Sequence, residues 1–106
     1  MTIEPNAEVA VAKGYWISVY PEISDPEILT DYNKLAGPAV HAAGGRVLSR
    51  GGRVVAHEAG ITQKVVLVEF DNFEKAVAAY ESEAYQKALT ALPAGFQRDF
   101  RIIEGD

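Results

Sequence analysis

Apolar positions recur along this chain with two periods, near two and near four, and each change of period marks a new element. In Gly14–Tyr20 (GYWISVY) the period is two: Tyr15, Ile17 and Val19 share one face of a predicted strand, and Trp16, Ser18 and Tyr20 share the other. A helix then opens at Asp25, with the carboxylate as N-cap, Pro26 at the first helical position and Glu27 at the positive end of the dipole. Ile28, Leu29, Tyr32, Leu35, Ala36, Ala39, Val40 and Ala43 trace one stripe of it, and Gly44-Gly45 stops it. Gly37-Pro38 interrupts the stripe, so a kink or two abutting helices is expected there.

Arg46–Arg50 reads as a second strand. After Gly51-Gly52, Arg53–His57 resumes an extended pattern and Glu58-Ala59-Gly60 turns again. Two arrangements satisfy this: a tight hairpin at Gly51-Gly52, or one long strand bent by a bulge there, with its hairpin turn at Glu58–Gly60. The second is preferred because it pairs a long strand with Gln63–Phe70. The clearest unit follows. Val65–Val68 is a short β-branched and Leu run, Asp71 with Glu74 forms a capping-box pattern, and Phe73, Ala76, Val77 and Tyr80 line one helix face. Glu81-Ser82-Glu83 breaks that helix, and Ser82 caps a second segment carrying Tyr85, Ala88, Leu89 and Leu92 until Pro93-Ala94-Gly95. Phe96–Ile103 is the last strand, with Phe100 and Ile102 on one face and Arg101 and Ile103 on the other.

The order strand, helix, strand, strand, helix, strand predicts an α+β, ferredoxin-like βαββαβ domain: an antiparallel sheet with two helical segments on one face. Two strands, GYWISVY and KVVLVEF, are apolar on both faces, whereas a solvent-facing side should alternate with polar residues. A twofold homodimer through the sheet face, closing an α+β barrel, is the simplest way to cover the second side.

Composition narrows the function classes. The 106 residues make one domain, with Met1 to Ala12 a flexible tail and residues 13–106 the folded unit. Apolar residues at 48% and charged residues at 24% are ordinary for a globular protein. A net charge of -5 and scattered Lys and Arg argue against nucleic-acid binding, which needs concentrated positive charge. There is no cysteine, which removes disulfides and thiol chemistry and fits a reducing compartment. With no stretch near the ~20 apolar residues of a membrane helix and no basic leader, no membrane association and a cytoplasmic location are expected.

The chain resembles the domain-of-unknown-function 1330 family of dimeric α+β barrels. The resemblance is carried by Lys13-Gly14-Tyr15-Trp16-Ile17, Gly45-Arg46 with Arg50-Gly51-Gly52, Val66–Phe70 with Phe73 and Ala76, Ser82-Glu83-Ala84-Tyr85, and Ile102-Ile103-Glu104-Gly105. It implies a ferredoxin-like protomer that dimerises through its sheets. Related barrels include cofactor-free monooxygenases, lactone isomerases, haem-dependent enzymes and proteins without assigned chemistry, so the resemblance does not choose a reaction.

Candidate chemistry rests on few residues. Glu69, a carboxylate within an apolar strand, is a candidate general acid or base, or else a strand-end group paired with Arg or Lys. His41, beyond the Gly-Pro break, is the second catalytic candidate, against a plain surface or core-edge histidine. Neither His41 nor His57 has a ligand partner at a recognised spacing; a haem-ligand role has little support, and no metal or cofactor is expected. Tyr15, Tyr32, Tyr80 and Tyr85 are candidates to line a ligand pocket, as rings with polar tips, or else to cap a small core. Arg46 and Arg50 share a parity and are expected on one side; with Arg53 and Gly51-Gly52 they form either an anion site or a charged edge strand. Three functions follow. The first is a cofactor-independent enzyme acting on a small aromatic or enolisable molecule; the second is a non-catalytic, small-ligand-binding or stress-related dimeric module. The third is a structural or interaction protein without a ligand.

Overall fold

The computed structural model describes residues 11–106; the expected tail lies almost wholly outside the described residues. Strand β1 (Gly14–Val19) leads through a 3-10 turn (Pro26–Leu29) into helix α1 (Thr30–Ala42), then β2 (Arg46–Arg50), β3 (Val65–Phe70), α2 (Phe73–Glu81), α3 (Glu83–Leu89) and β4 (Asp99–Glu104). The four strands form one antiparallel sheet in the order β2-β3-β1-β4. This is the ferredoxin-like α+β arrangement, with the second helical segment split in two by Ser82.

Local chemistry accounts for the element ends. The Asp25 carboxylate accepts from the Glu27 amide at 3.0 Å, and Pro26 occupies the first position of the turn. Helix α1 runs unbroken through Pro38. Gly37 before it lacks the Cβ that a following proline ring would meet, which is why the expected interruption does not end the helix. Gly44 (φ +87°) donates to the His41 carbonyl and Gly45 to that of Val40, the paired bonds of a Schellman stop. The cap of α2 falls one residue later than the sequence pattern implies. Asn72 is extended and its side chain accepts from the Lys75 amide at 2.8 Å, while Asp71 is held by Arg46 and Lys75.

The region between β2 and β3 departs from both readings of the sequence. β2 pairs with β3, and a bulge is present, but it sits at Leu48, between the pairs Val47–Val68 and Ser49–Leu67. Gly51, at φ +83°, then turns the chain out of the sheet, its amide bonded to the Val65 carbonyl. Because β3 begins only at Val65, residues 53–57 have no strand beside them and form none, although Gly60 closes a turn on the His57 carbonyl at 2.8 Å. The bulge also separates two arginines expected on one side. Arg46 stands opposite Glu69 and Arg50 opposite Val66, so the extra residue places them on opposite faces.

The core lies between the helices and one sheet face. Trp16, Val68 and Phe70 from the sheet meet Tyr32, Ala36, Ala39, Val40, Ala76, Ala79, Tyr85 and Ala88 from the helices. Trp16 is its centre: its ring lies 5.0 Å from Phe70, 4.8 Å from Tyr85 and 5.2 Å from Phe100, and its indole N–H donates to the Ala76 carbonyl at 2.7 Å. The opposite face carries Ile17, Val19, Val65 and Leu67, half-buried in the single chain, with Ile103 51% exposed beside them. No helix among the described residues is long and apolar enough to cross a membrane.

Two substitutions probe this packing by urea denaturation. Phe70→Ala empties a fully buried site and is expected to cost about 3–5 kcal/mol. Gly14→Ala, whose Cβ would stand 2.5 Å from the Asn72 carbonyl oxygen, is expected to cost about 1–3 kcal/mol through overpacking.

Candidate functional site

A cavity of about 310 Å3 lies between α1 and the sheet, within the range of small-ligand sites. Its space arises from small residues, Ser18 on β1 and Ala36 and Gly37 on α1, facing one another between larger ones. Trp16, Val66, Val68 and Phe100 supply apolar walls, and Tyr20, Tyr32, Tyr85 and Arg98 supply polar ends.

Each polar group is placed by its own element. Tyr32 is on the buried stripe of α1. Tyr85 is fixed by Ser82, whose hydroxyl accepts from the Tyr85 amide and donates to the Ala79 carbonyl. Tyr20 directly follows β1, its amide bonded to the Lys64 carbonyl at 2.9 Å. Arg98 directly precedes β4, after a turn closed by the Phe96 amide on the Pro93 carbonyl, with Gly95 at φ +77° as a type II turn requires.

The guanidinium of Arg98 gathers the three phenols. Nη1 donates to the Tyr20 hydroxyl at 2.8 Å and to that of Tyr32 at 3.1 Å, and Nη2 donates to that of Tyr85 at 2.8 Å. The Tyr32 and Tyr85 hydroxyls bond each other at 2.5 Å. The guanidinium also stacks 4.8 Å over the Phe100 ring. Loss of solvation is the largest influence on all three phenols and holds Tyr20, Tyr32 and Tyr85 above the ordinary tyrosine value of 10.0, against the pull of Arg98. Burial works against the charge of Arg98 as well, but the phenol oxygens outweigh it and its proton is held more tightly than in water.

Of the residues singled out in the sequence, Tyr32, Tyr85 and Arg50 meet at this cavity. Tyr80 stands behind it, its ring 5.3 Å from Tyr85 and 5.0 Å from Phe100. Tyr15 and Glu69 lie on the other sheet face, where the phenol donates to the carboxylate at 3.2 Å and Arg46 pairs with the same carboxylate at 3.1 Å. Glu69 thus carries an ion pair to Arg46 near the strand end and stands away from the cavity. His41 is exposed on α1 and does not line the cavity. Among the described residues no group of three or more His, Cys, Asp or Glu side chains could hold a metal ion.

Sequence reasoning missed Arg98, Tyr20 and Lys64. A signal for Arg98 was present: in the last strand it has the parity of Phe100 and Ile102, a cation on an otherwise apolar face. Nothing local marks Lys64, which reaches the cavity from the residue before β3 and stands 5.0 Å over the Tyr20 ring.

A family profile described as "Domain of unknown function (DUF1330)" matches residues 13–106. No curated protein matches the sequence. Among solved structures, the chain is similar to a protein of unknown function from Rhodopseudomonas palustris, at TM-score 0.63 and 15% identity over 95% of this chain and 88% of that one. It is similar to an ethyl tert-butyl ether d (ethd) family protein from Bacillus halodurans, at TM-score 0.55 and 14% identity over 89% and 99% of the two chains. A dimeric ferredoxin-like protein of unknown function from Thermobifida fusca matches at TM-score 0.55 and 14% identity over 89% and 92%. At such identities the likeness is one of fold.

The phenol cluster generates a pH prediction. A folded-state pKa raised above the unfolded value stabilises the fold fully below the unfolded value, and that contribution is lost as the pH climbs through the folded one. Stability from Tyr20, Tyr32 and Tyr85 is therefore expected to be constant up to about pH 10 and to fall above it. Phenolate absorbance should show these three ionising together with unfolding; their ionisation near pH 10 in a folded protein would contradict the cluster.

Proposed function

The chain belongs to the DUF1330 family, and we propose that it is a small-molecule-binding protein whose site is the cavity between α1 and the sheet. The observation that carries this reading is the convergence of Arg98 and three tyrosine hydroxyls on a space with flat apolar walls. Such a set orients a ligand by hydrogen bonds and holds its body by contact. The lining residues include no carboxylate and no imidazole, and burial keeps the three phenols from serving as bases at neutral pH. That favours a non-catalytic binding module over a proton-abstracting enzyme.

The open sheet face supports a second element of the reading: the protein works as a homodimer. Ile17, Val19, Val65 and Leu67 form a continuous apolar patch across β1 and β3, extended by Ile103 on β4. The pairs Arg46–Glu69 and Arg101–Asp99 lie on the same face. A second copy brought face to face would bury the apolar centre and leave the charges toward its margin.

Trp16 is the single tryptophan and lines the cavity, so its fluorescence reports occupancy. Phenols, quinols and aromatic acids are expected to quench or shift it and to raise Tm. Val66→Phe, which fills the space, should abolish the response, whereas Glu69→Gln should leave it intact. Absence of any response across the set at millimolar concentration would refute the binding reading. For assembly, light scattering is expected to give a dimer for the wild type and a monomer for Leu67→Asp; a wild-type monomer in dilute solution would refute the dimer.

A further inference from the structure

The hydrogen-bond census around Arg98 contains more donors than acceptors. Arg98 places three N–H bonds on phenol oxygens, leaving two of a guanidinium's five N–H groups unassigned. One phenol proton is spent between Tyr32 and Tyr85. The Tyr20 hydroxyl pairs with the Tyr32 oxygen, so of the three phenol protons one, on the Tyr32–Tyr85 pair, has no protein acceptor among the described residues. The phenol oxygens satisfy Arg98 as hydrogen-bond partners but bring no negative charge. Arg50 and Lys64 stand at the same cavity, and among the described residues none of the three cations has an ion-pair partner. A site with three positive groups and no carboxylate, in a chain of net charge -5, is a local reversal of sign. Hydrogen bonds to neutral phenols hold the Arg98 proton but leave its charge unpaired, and an anion arriving with its own acceptor oxygens adds the Coulomb attraction they lack.

We infer that the cavity takes its ligand as a carboxylate: a compact organic acid whose two oxygens meet Arg98 and the free phenol proton. Its flat apolar body lies against Trp16, Val66, Val68 and Phe100. A guanidinium fork and a hydroxyl match a planar two-oxygen head, and the apolar walls exclude a ligand that is charged all round. Arg50 and Lys64 at the cavity draw the anion in and add a weaker, screened attraction. This assignment rests on the reading of the cavity as a binding site, and its test separates the two.

The test compares benzoate, benzamide and inorganic phosphate by titration of Trp16 fluorescence at pH 7. Benzoate is expected to bind about tenfold or more tightly than its uncharged isostere benzamide, as a charge-assisted bond requires, and to weaken with added salt. Arg98→Gln should erase that preference. Arg50→Gln with Lys64→Gln changes only exposed side chains and should lower benzoate affinity by a smaller factor, so it carries the test if Arg98→Gln does not fold. Benzamide binding as well as benzoate would overturn the carboxylate assignment while leaving the cavity a binding site. Phosphate binding more tightly than benzoate would overturn it in favour of a small inorganic anion. No response to any of the three, in a protein that also ignores phenols and quinols, would remove both readings together.

Discussion

The indole of Trp16 is the contact on which the rest of the architecture depends. It stands on β1, one of the two inner strands, and its N–H reaches the Ala76 carbonyl of α2. Its ring simultaneously touches Phe70 on β3, Tyr85 on α3 and Phe100 on β4. One side chain thus fixes the distance of both C-terminal helices from the sheet. A buried indole N–H left without an acceptor would forfeit about 1–3 kcal/mol, so the bond sets the register of α2 as well as its position. The cavity has this ring as part of its wall, which ties the geometry of the site to the geometry of the core.

Against that apolar scaffold the cluster of Arg98 and three phenols is the exception. Cores of small domains gain little from polar groups unless every donor finds an acceptor. Here the oxygens are satisfied and part of the protons are not, and the charge of Arg98 is unanswered by any lining carboxylate. A purely structural network would be closed. The surplus of donors lies where the packing also leaves room, which is why space, donors and charge are read together as a candidate site.

The two faces of the sheet divide the labour. On the helix side, small residues in register open the cavity; on the other, Ile17, Val19, Val65 and Leu67 make a flat apolar surface. The bulge at Leu48 is what allows one short edge strand to serve both, sending Arg46 to the ion pair with Glu69 and Arg50 toward the cavity. Exposed ion pairs like Arg46–Glu69 add little stability in water, about 0–1 kcal/mol, so their place here is orientation and solubility at the margin of the apolar patch.

The four strands and the helical segments that form, the caps at Asp25 and Ser82, the Gly44-Gly45 stop and the two-sided apolar character of β1 and β3 were legible in the sequence, whereas the extended pattern at residues 53–57 finds no partner strand. These depend on residues close in the chain, where period and backbone preference act directly. Tyr32 and Tyr85 were legible as pocket candidates because polar-tipped rings on apolar stripes need partners. What only the tertiary structure decided was which groups meet. His41 and Glu69 looked reactive locally, yet one faces solvent on α1 and the other pairs with Arg46 on the far side of the sheet. Arg98 looked like one scattered cation among ten, and becomes the centre of the phenol cluster because strand pairing sets it beside Tyr20 while α1 and α3 lower Tyr32 and Tyr85 onto it. Parity alone also misplaced Arg50, since a single inserted residue reverses every side chain after it. Sequence by itself determined the elements and their apolar faces, because those are set by neighbours in the chain; the cavity and its charge were decided by contacts 13 to 78 residues apart, which no local pattern encodes.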